Sequence, residues 1–226
     1  MTNFDEQLDL FKLIGIELKK RIECYVIGGS AMMFYGAKVD TKDVDLVFLN
    51  KKDLEQIKNV LIQIGFEEKK SLVKIFRHYE EGKHEYKPVM MIRKDTRFDL
   101  FLKEIVCFKM SNTIIDRIKE SHEFNNLIVK VVSPEDIILL KSATEREKDR
   151  IDALSLVEKF NIKWDVIIEE SIHQTNLEES LFPVFLFDFL YELKEDFKAD
   201  IPKDVINKIR DISEKLMIEK LKRDKG

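Results

Sequence analysis

The chain has 226 residues and a formal net charge of −4 at pH 7, a balance that argues against a nucleic-acid-coating protein while leaving a local basic groove open. It is 44% hydrophobic, enough for a substantial core, and 36% charged, above the roughly 25% of an average globular protein. That surplus suits long solvated helices or a heat-adapted surface. No apolar run approaches the length of a membrane span. The N-terminal MTNFDEQLDLF has neither the positive nor the apolar region of a signal peptide, so the chain reads as soluble and cytoplasmic. Its two cysteines, Cys24 and Cys107, sit in apolar segments and read as small buried hydrophobes.

In chain order, Phe4, Leu8, Phe11, Ile14 and Leu18 recur at a helical period over residues 4–20. Cys24 to Ile27 is a short strand ending at Gly28-Gly29, and Ser30 to Tyr35 reads as a helix closed by Gly36. Val44 to Leu49 is a nearly continuous apolar run, the pattern of a strand covered on both faces. Asp53 to Ile64 is helical and stops at Gly65. Val73 to Tyr79, the turn EEGKHE, Val89 to Ile92 and Phe98 to Leu102 suggest strands joined by tight turns. A short helix over Thr113 to Lys119 and a strand over Leu127 to Val132 follow.

Beyond SPED the pattern turns helical. Ser133 suits an N-cap and Pro134 the first helical position, with helices expected over 134–159, 164–172, 177–197 and 203–222. Pro183 should kink or start one of them. The composition shift divides the chain into residues 1–132 and a helical region, 133–226. Phe182, Phe185, Phe187 and Phe189 read as helix packing or a homodimer seam rather than a base-stacking platform. The four histidines lack zinc spacing.

Three features point to chemistry. Strand, Gly28-Gly29-Ser30, helix is geometry that lets backbone N–H groups approach phosphate, although a tight strand-to-helix turn explains it equally. Asp43 and Asp45 share one strand face, where they repel each other unless a cation sits between them; magnesium suits two such carboxylates plus substrate phosphates. In RFDLFL, Asp99 alternates with Phe98 and Leu100 and can join the pair if the two strands are neighbours. Three acids of this kind could hold two divalent ions; as plain edge or cap aspartates they would hold none. At 100° per residue Lys141, Glu145, Lys148 and Asp152 form one stripe of a helix, either a solvated face or, for Lys141, a reach towards phosphate.

Together GGSAMMFYG, TKDVDL, RFDLFL and SPEDIILLKSATEREKDRIDAL resemble the polymerase-β-type nucleotidyltransferase superfamily. The likeness is nearest to the branch holding abortive-infection (AbiE-type) toxins and small antibiotic-modifying nucleotidyltransferases, and it covers roughly residues 24 to 155. It implies an α+β (α/β) chain, a mixed β-sheet with packed helices followed by a helical C-terminal region that contributes to the active site. The implied activity moves a nucleoside monophosphate from a triphosphate such as ATP to an RNA 3′ end or a small hydroxylated molecule. Residue by residue, the resemblance gives phosphate binding to Gly28, Gly29 and Ser30, and two Mg²⁺ ions (or Mn²⁺) to Asp43, Asp45 and Asp99. Asp99 also helps to deprotonate the acceptor. Lys141 neutralises the triphosphate, Asp149 aligns the site, and Thr41 orients the loop before Asp43. The toxin branch adds an antitoxin as a partner. The competing reading is a catalytically silent nucleotide- or partner-binding module on the same fold.

Overall fold

A computed structural model describes residues 1–69, 88–105, 107–178 and 180–223. The chain divides into two compact units, Met1–Ser133 and Pro134–Gly226. The first contains β1 (Thr2–Asn3), α1 (Phe4–Glu17), β2 (Ile22–Ile27), α2 (Gly28–Phe34), β3 (Asp40–Thr41), β4 (Asp43–Phe48), α3 (Lys51–Gln63) and β5 (Glu67–Lys69). Beyond the undescribed stretch come β6 (Val89–Arg93), β7 (Thr96–Leu102), β8 (Glu104–Ile105), β9 (Phe108–Lys109), α4 (Asn112–Arg117), β10 (Glu120–Phe124) and β11 (Leu127–Val131). The expected strand at Val73 to Tyr79 and the turn EEGKHE lie outside the described residues.

Among the described residues, seven strands form one mixed sheet in the order β10-β11-β2-β4-β7-β6-β5. The β11–β2 and β4–β7 pairs are parallel and the other neighbours antiparallel. Parallel neighbours need a crossover, and α3 lies in the one between β4 and β7, packed on both. Asn50 caps α3, its side chain accepting from the Asp53 N–H at 2.9 Å, so the helix starts two residues before the expected Asp53. α1 packs on β10, β11 and α3. One face of the central strands carries Val26, Val44, Leu46, Phe98 and Leu100, all fully buried. By the two-residue period of strands, Asp43, Asp45 and Asp99 belong to the opposite face.

β10 was not apparent in the sequence. Its residues, ESHEF, lack an apolar alternation because it is an edge strand that shows every second side chain to solvent. Pairing with β11, through a turn in which Asn125 takes φ 52°, makes it a strand.

The second unit consists of α5 (Pro134–Lys141), α6 (Glu147–Lys159), α7 (Trp164–Glu178), α8 (Phe182–Glu195) and α9 (Lys203–Arg223). Pro183 sits in the first turn of α8, where a missing N–H costs nothing, and Phe182 and Phe189 are buried in the packing of the helices. The single helix expected over 134–159 is instead two. Lys141 Nζ donates to Asp149 Oδ1 and to Asp152 Oδ2, both at 2.7 Å. In a continuous helix the first of these residues would lie about 12 Å away along the axis, so the contact requires the break. At the break the Ser142 hydroxyl donates to the Leu139 carbonyl at 2.7 Å, and Thr144 Oγ1 donates to Asp149 Oδ2 at 2.6 Å. Thr144 Oγ1 also lies 3.2 Å from the Lys141 carbonyl, so both hydroxyls serve backbone carbonyls at the interruption.

Lys141 is 6% and Asp149 2% exposed, so this is a buried ion-pair knot. Burial pushes the Asp149 carboxyl up, but the Lys141 charge, hydrogen bonds from Lys141 and Thr144, and the Arg146 charge outweigh it and hold it at about 2, below its ordinary 3.8. A depressed carboxylate pKa stabilises the fold above the unfolded value, and that stabilisation is lost as pH falls through the folded one. Thermal melts should therefore fall between pH 3.8 and about 2, and Asp149→Asn should flatten that limb. At neutral pH, Lys141→Met should cost about 3–5 kcal/mol, because the buried Asp149 and Asp152 lose the ammonium between them, although Asp149 keeps Arg146 at 2.7 Å.

Candidate active site

β4 and β7 run parallel in a register that sets Asp45 opposite Asp99 and Asp43 opposite Arg97. Paired residues of neighbouring strands share a face, so three carboxylates and one guanidinium occupy a single patch of sheet. Asp99 is the most enclosed of the acids at 8% exposure; Asp43 and Asp45 are half-buried. Arg97 Nε donates to Asp99 Oδ1 at 2.7 Å and Arg97 Nη2 donates to Asp99 Oδ2, a two-point fork. The same Nη2 lies 3.7 Å from Asp43 Oδ2. Burial pushes the Asp99 carboxyl above its ordinary value; the Arg97 hydrogen bonds and charge pull it back only in part, and the Asp43 charge raises it further.

The turn from β2 into α2 stands against these acids. Gly28 takes φ +59°, which favours glycine, and a Cβ there would lie 2.8 Å from Asp45 Oδ2, so a larger residue would have to move that carboxylate. A Cβ on Gly29 would lie 2.7 Å from Thr41 Oγ1. Ser30 is fully buried, and its hydroxyl donates to the Asp43 carbonyl at 3.3 Å; the Thr41 hydroxyl donates to the same carbonyl at 3.1 Å. The Gln7 amide donates to the Ser30 carbonyl at 3.4 Å. The glycine turn is thus tied through two hydroxyls to the backbone of the first aspartate. The Ser30 hydroxyl braces β4, which leaves backbone N–H groups as the donors this turn can offer an anion.

The sequence profile of a family described as "Nucleotidyl transferase of unknown function (DUF2204)" matches residues 7–184. The chain belongs to that family. No curated protein matches. Among solved structures, the chain is similar to an antigenic nucleotidyltransferase-like protein from Paracoccidioides brasiliensis, at 16% identity over 91% of this chain and 98% of that one, with a TM-score of 0.40.

In this DUF2204 chain, Gly28, Gly29, Ser30, Asp43, Asp45 and Asp99 come together on three adjacent strands and the turn that follows the first of them. Lys141 and Asp149 lie in the helical unit, where they meet each other; to touch a phosphate, Lys141 would have to leave two buried carboxylates. Arg97 is the residue that the sequence reading missed. The signal was present: in RFD, Arg97 and Asp99 are two apart on a strand and share a face, the rule already applied to Asp43 and Asp45.

Three carboxylates offer the hard oxygen donors that Mg²⁺ takes, and the register brings them onto one patch, so the chemistry of the donor set fits the ion. With Arg97 seated on Asp99, no three His, Cys, Asp or Glu side chains among the described residues converge as an ion's ligands. The fit lies in residue type and register, and the cation in place is a guanidinium.

Gly65 provides a control for the glycine turn. It also has a positive φ, +91°, but a Cβ there meets only Arg93 Cδ at an ordinary 3.6 Å. Gly28→Ala and Gly65→Ala should each lose about 1–3 kcal/mol from backbone strain, measured by urea denaturation. Gly28→Ala should lose more, because it also displaces the Asp45 carboxylate. Equal losses would mean that the turn does not bear on Asp45.

Proposed function

We propose that the protein transfers a nucleoside monophosphate from a nucleoside triphosphate to an acceptor hydroxyl, on the sheet face of its first unit. The observation that carries this reading is the registration of Asp45 opposite Asp99 with the Gly28–Ser30 turn pressed against Asp45. Membership of a nucleotidyl transferase family supports it.

In this reading the backbone N–H groups of Gly28, Gly29 and Ser30 receive the β- and γ-phosphate oxygens. Asp43, Asp45 and Asp99 would hold two Mg²⁺ ions, or Mn²⁺, which when bound supply Lewis-acid stabilisation of the charge developing on the phosphates. Asp99 accepts the proton of the acceptor hydroxyl. The acceptor oxygen forms a bond to the α-phosphorus. The bond from the α-phosphorus to the bridging oxygen breaks, and its electron pair leaves with pyrophosphate. The acceptor is an RNA 3′ end, as in the toxin branch with its antitoxin partner, or a small hydroxylated molecule. A second reading, the catalytically silent binding module, is favoured by one observation: Arg97 already fills the cation's place beside Asp99.

Incubation with each labelled nucleoside triphosphate, Mg²⁺, total cellular RNA and a small-molecule extract separates these readings. Label in RNA supports the toxin-like acceptor, label on small molecules alone the modifying enzyme, and no label anywhere the silent module. Asp45→Asn should lower any transfer by roughly 10²–10³-fold, the scale of losing an electrostatic contact made to the transition state. Its melting temperature in EDTA should hold or rise, because one of two repelling carboxylates is neutralised. A variant that is less stable yet fully active would overturn the assignment.

A further inference from the structure

Arg97 is a charged group of the patch to which the proposed transfer gives no role. Its fork occupies both oxygens of Asp99, and its Nη2 lies 3.7 Å from Asp43 Oδ2, so the guanidinium bridges two of the acids that an ion would have to share. A carboxylate held at two points by a guanidinium has both oxygens engaged. A guanidinium does not lose its charge at accessible pH, and it repels a divalent ion at contact distance. The two cations therefore compete for one seat. The Arg97 side chain is 30% exposed, so it has a route away from Asp99 towards solvent.

We propose that Arg97 is a displaceable resident cation: it neutralises Asp99 in the ion-free protein, and a divalent ion gathers Asp43, Asp45 and Asp99 only by breaking the Arg97–Asp99 fork. This inference rests on the transferase reading and adds a positioning residue to it. Displaced, Arg97 keeps its charge beside the site and needs a new anion. A triphosphate supplies one. The ion and the triphosphate then bind better together than either does alone, because each removes a cost that the other would meet.

The test is Mn²⁺ binding without nucleotide, by calorimetry and electron paramagnetic resonance, to the wild type, Arg97→Met and Arg97→Gln. Both variants should bind Mn²⁺ more tightly by roughly five-fold or more, the lower end of ordinary site coupling. Mn²⁺ should raise their melting temperatures more than the wild type's. A non-hydrolysable triphosphate analogue should tighten Mn²⁺ binding less in the variants than in the wild type. A purely structural Arg97 would lower the melting temperature and leave Mn²⁺ affinity unmoved or weakened, and that result overturns the proposal. If the neutral variants do not fold, Arg97→Lys replaces them: it keeps the charge but loses the fork, and should still bind Mn²⁺ more tightly than the wild type, equal affinity overturning the proposal. Unmoved Mn²⁺ affinity together with ion-dependent transfer by the wild type refutes the competition alone. No Mn²⁺ binding to any form and no ion-dependent transfer refutes the transferase reading as well.

Discussion

Like charges on one face of a sheet are the constraint around which the first unit is arranged. Asp43 and Asp45 are two apart on β4, and the parallel register brings Asp99 alongside Asp45. Carboxylates so placed oppose the pairing of the strands that carry them, while the opposite face, with Val44, Leu46, Phe98 and Leu100 fully buried, holds that pairing in place. The sheet keeps its acids because its other side is sealed. Arg97 relieves part of the repulsion from within the same strand pair. Burial still dominates at Asp99, whose pKa stays raised with the guanidinium beside it.

The turn after β2 is fitted to the same constraint. At Gly28 the backbone passes so close to Asp45 that any Cβ would push its carboxylate aside, and it does so at a φ that favours glycine. Ser30 and Thr41 approach the Asp43 carbonyl from two elements, so the turn, the two-residue strand β3 and the start of β4 form one hydrogen-bonded junction. The expected role of Ser30 was to face a ligand, yet its hydroxyl is turned inward. A buried hydroxyl that holds a strand end in place can matter to a site as much as one that touches substrate, since misplacement of the acids by even an ångström degrades orientation.

Much of this was legible in the chain because the signals are local. The two-residue period put Asp43 and Asp45 on one face without knowledge of the fold, and the apolar run Val44 to Leu49 announced a strand covered by other elements. The pairing of β4 with β7, on which Asp99 depends, had to be assumed, since register between strands about fifty residues apart is decided by the whole sheet. β10 was hidden because an edge strand needs no apolar alternation. Arg97 was overlooked for a different reason: a cation two residues from an acid reads as surface charge until a neighbouring strand supplies Asp43 on its other side.

The helical unit shows where periodicity misleads. On a helical wheel Lys141 and Asp152 fall on one stripe of an unbroken helix, and the stripe reads as a solvated face. The two residues do share a neighbourhood, but by a break in the helix rather than along it: α6 starts afresh at Glu147 and returns Asp149 and Asp152 to the Lys141 ammonium. A solvated i,i+4 pair is worth a few tenths of a kcal/mol, whereas a lysine buried without a partner would cost several. Once packing encloses Lys141, the interruption of backbone hydrogen bonds between α5 and α6 is the smaller penalty, and the Ser142 and Thr144 hydroxyls, bonded to the Leu139 and Lys141 carbonyls, reduce it further. Wheel geometry assumes that the helix persists, and a buried charge is one of the few local forces strong enough to break that assumption.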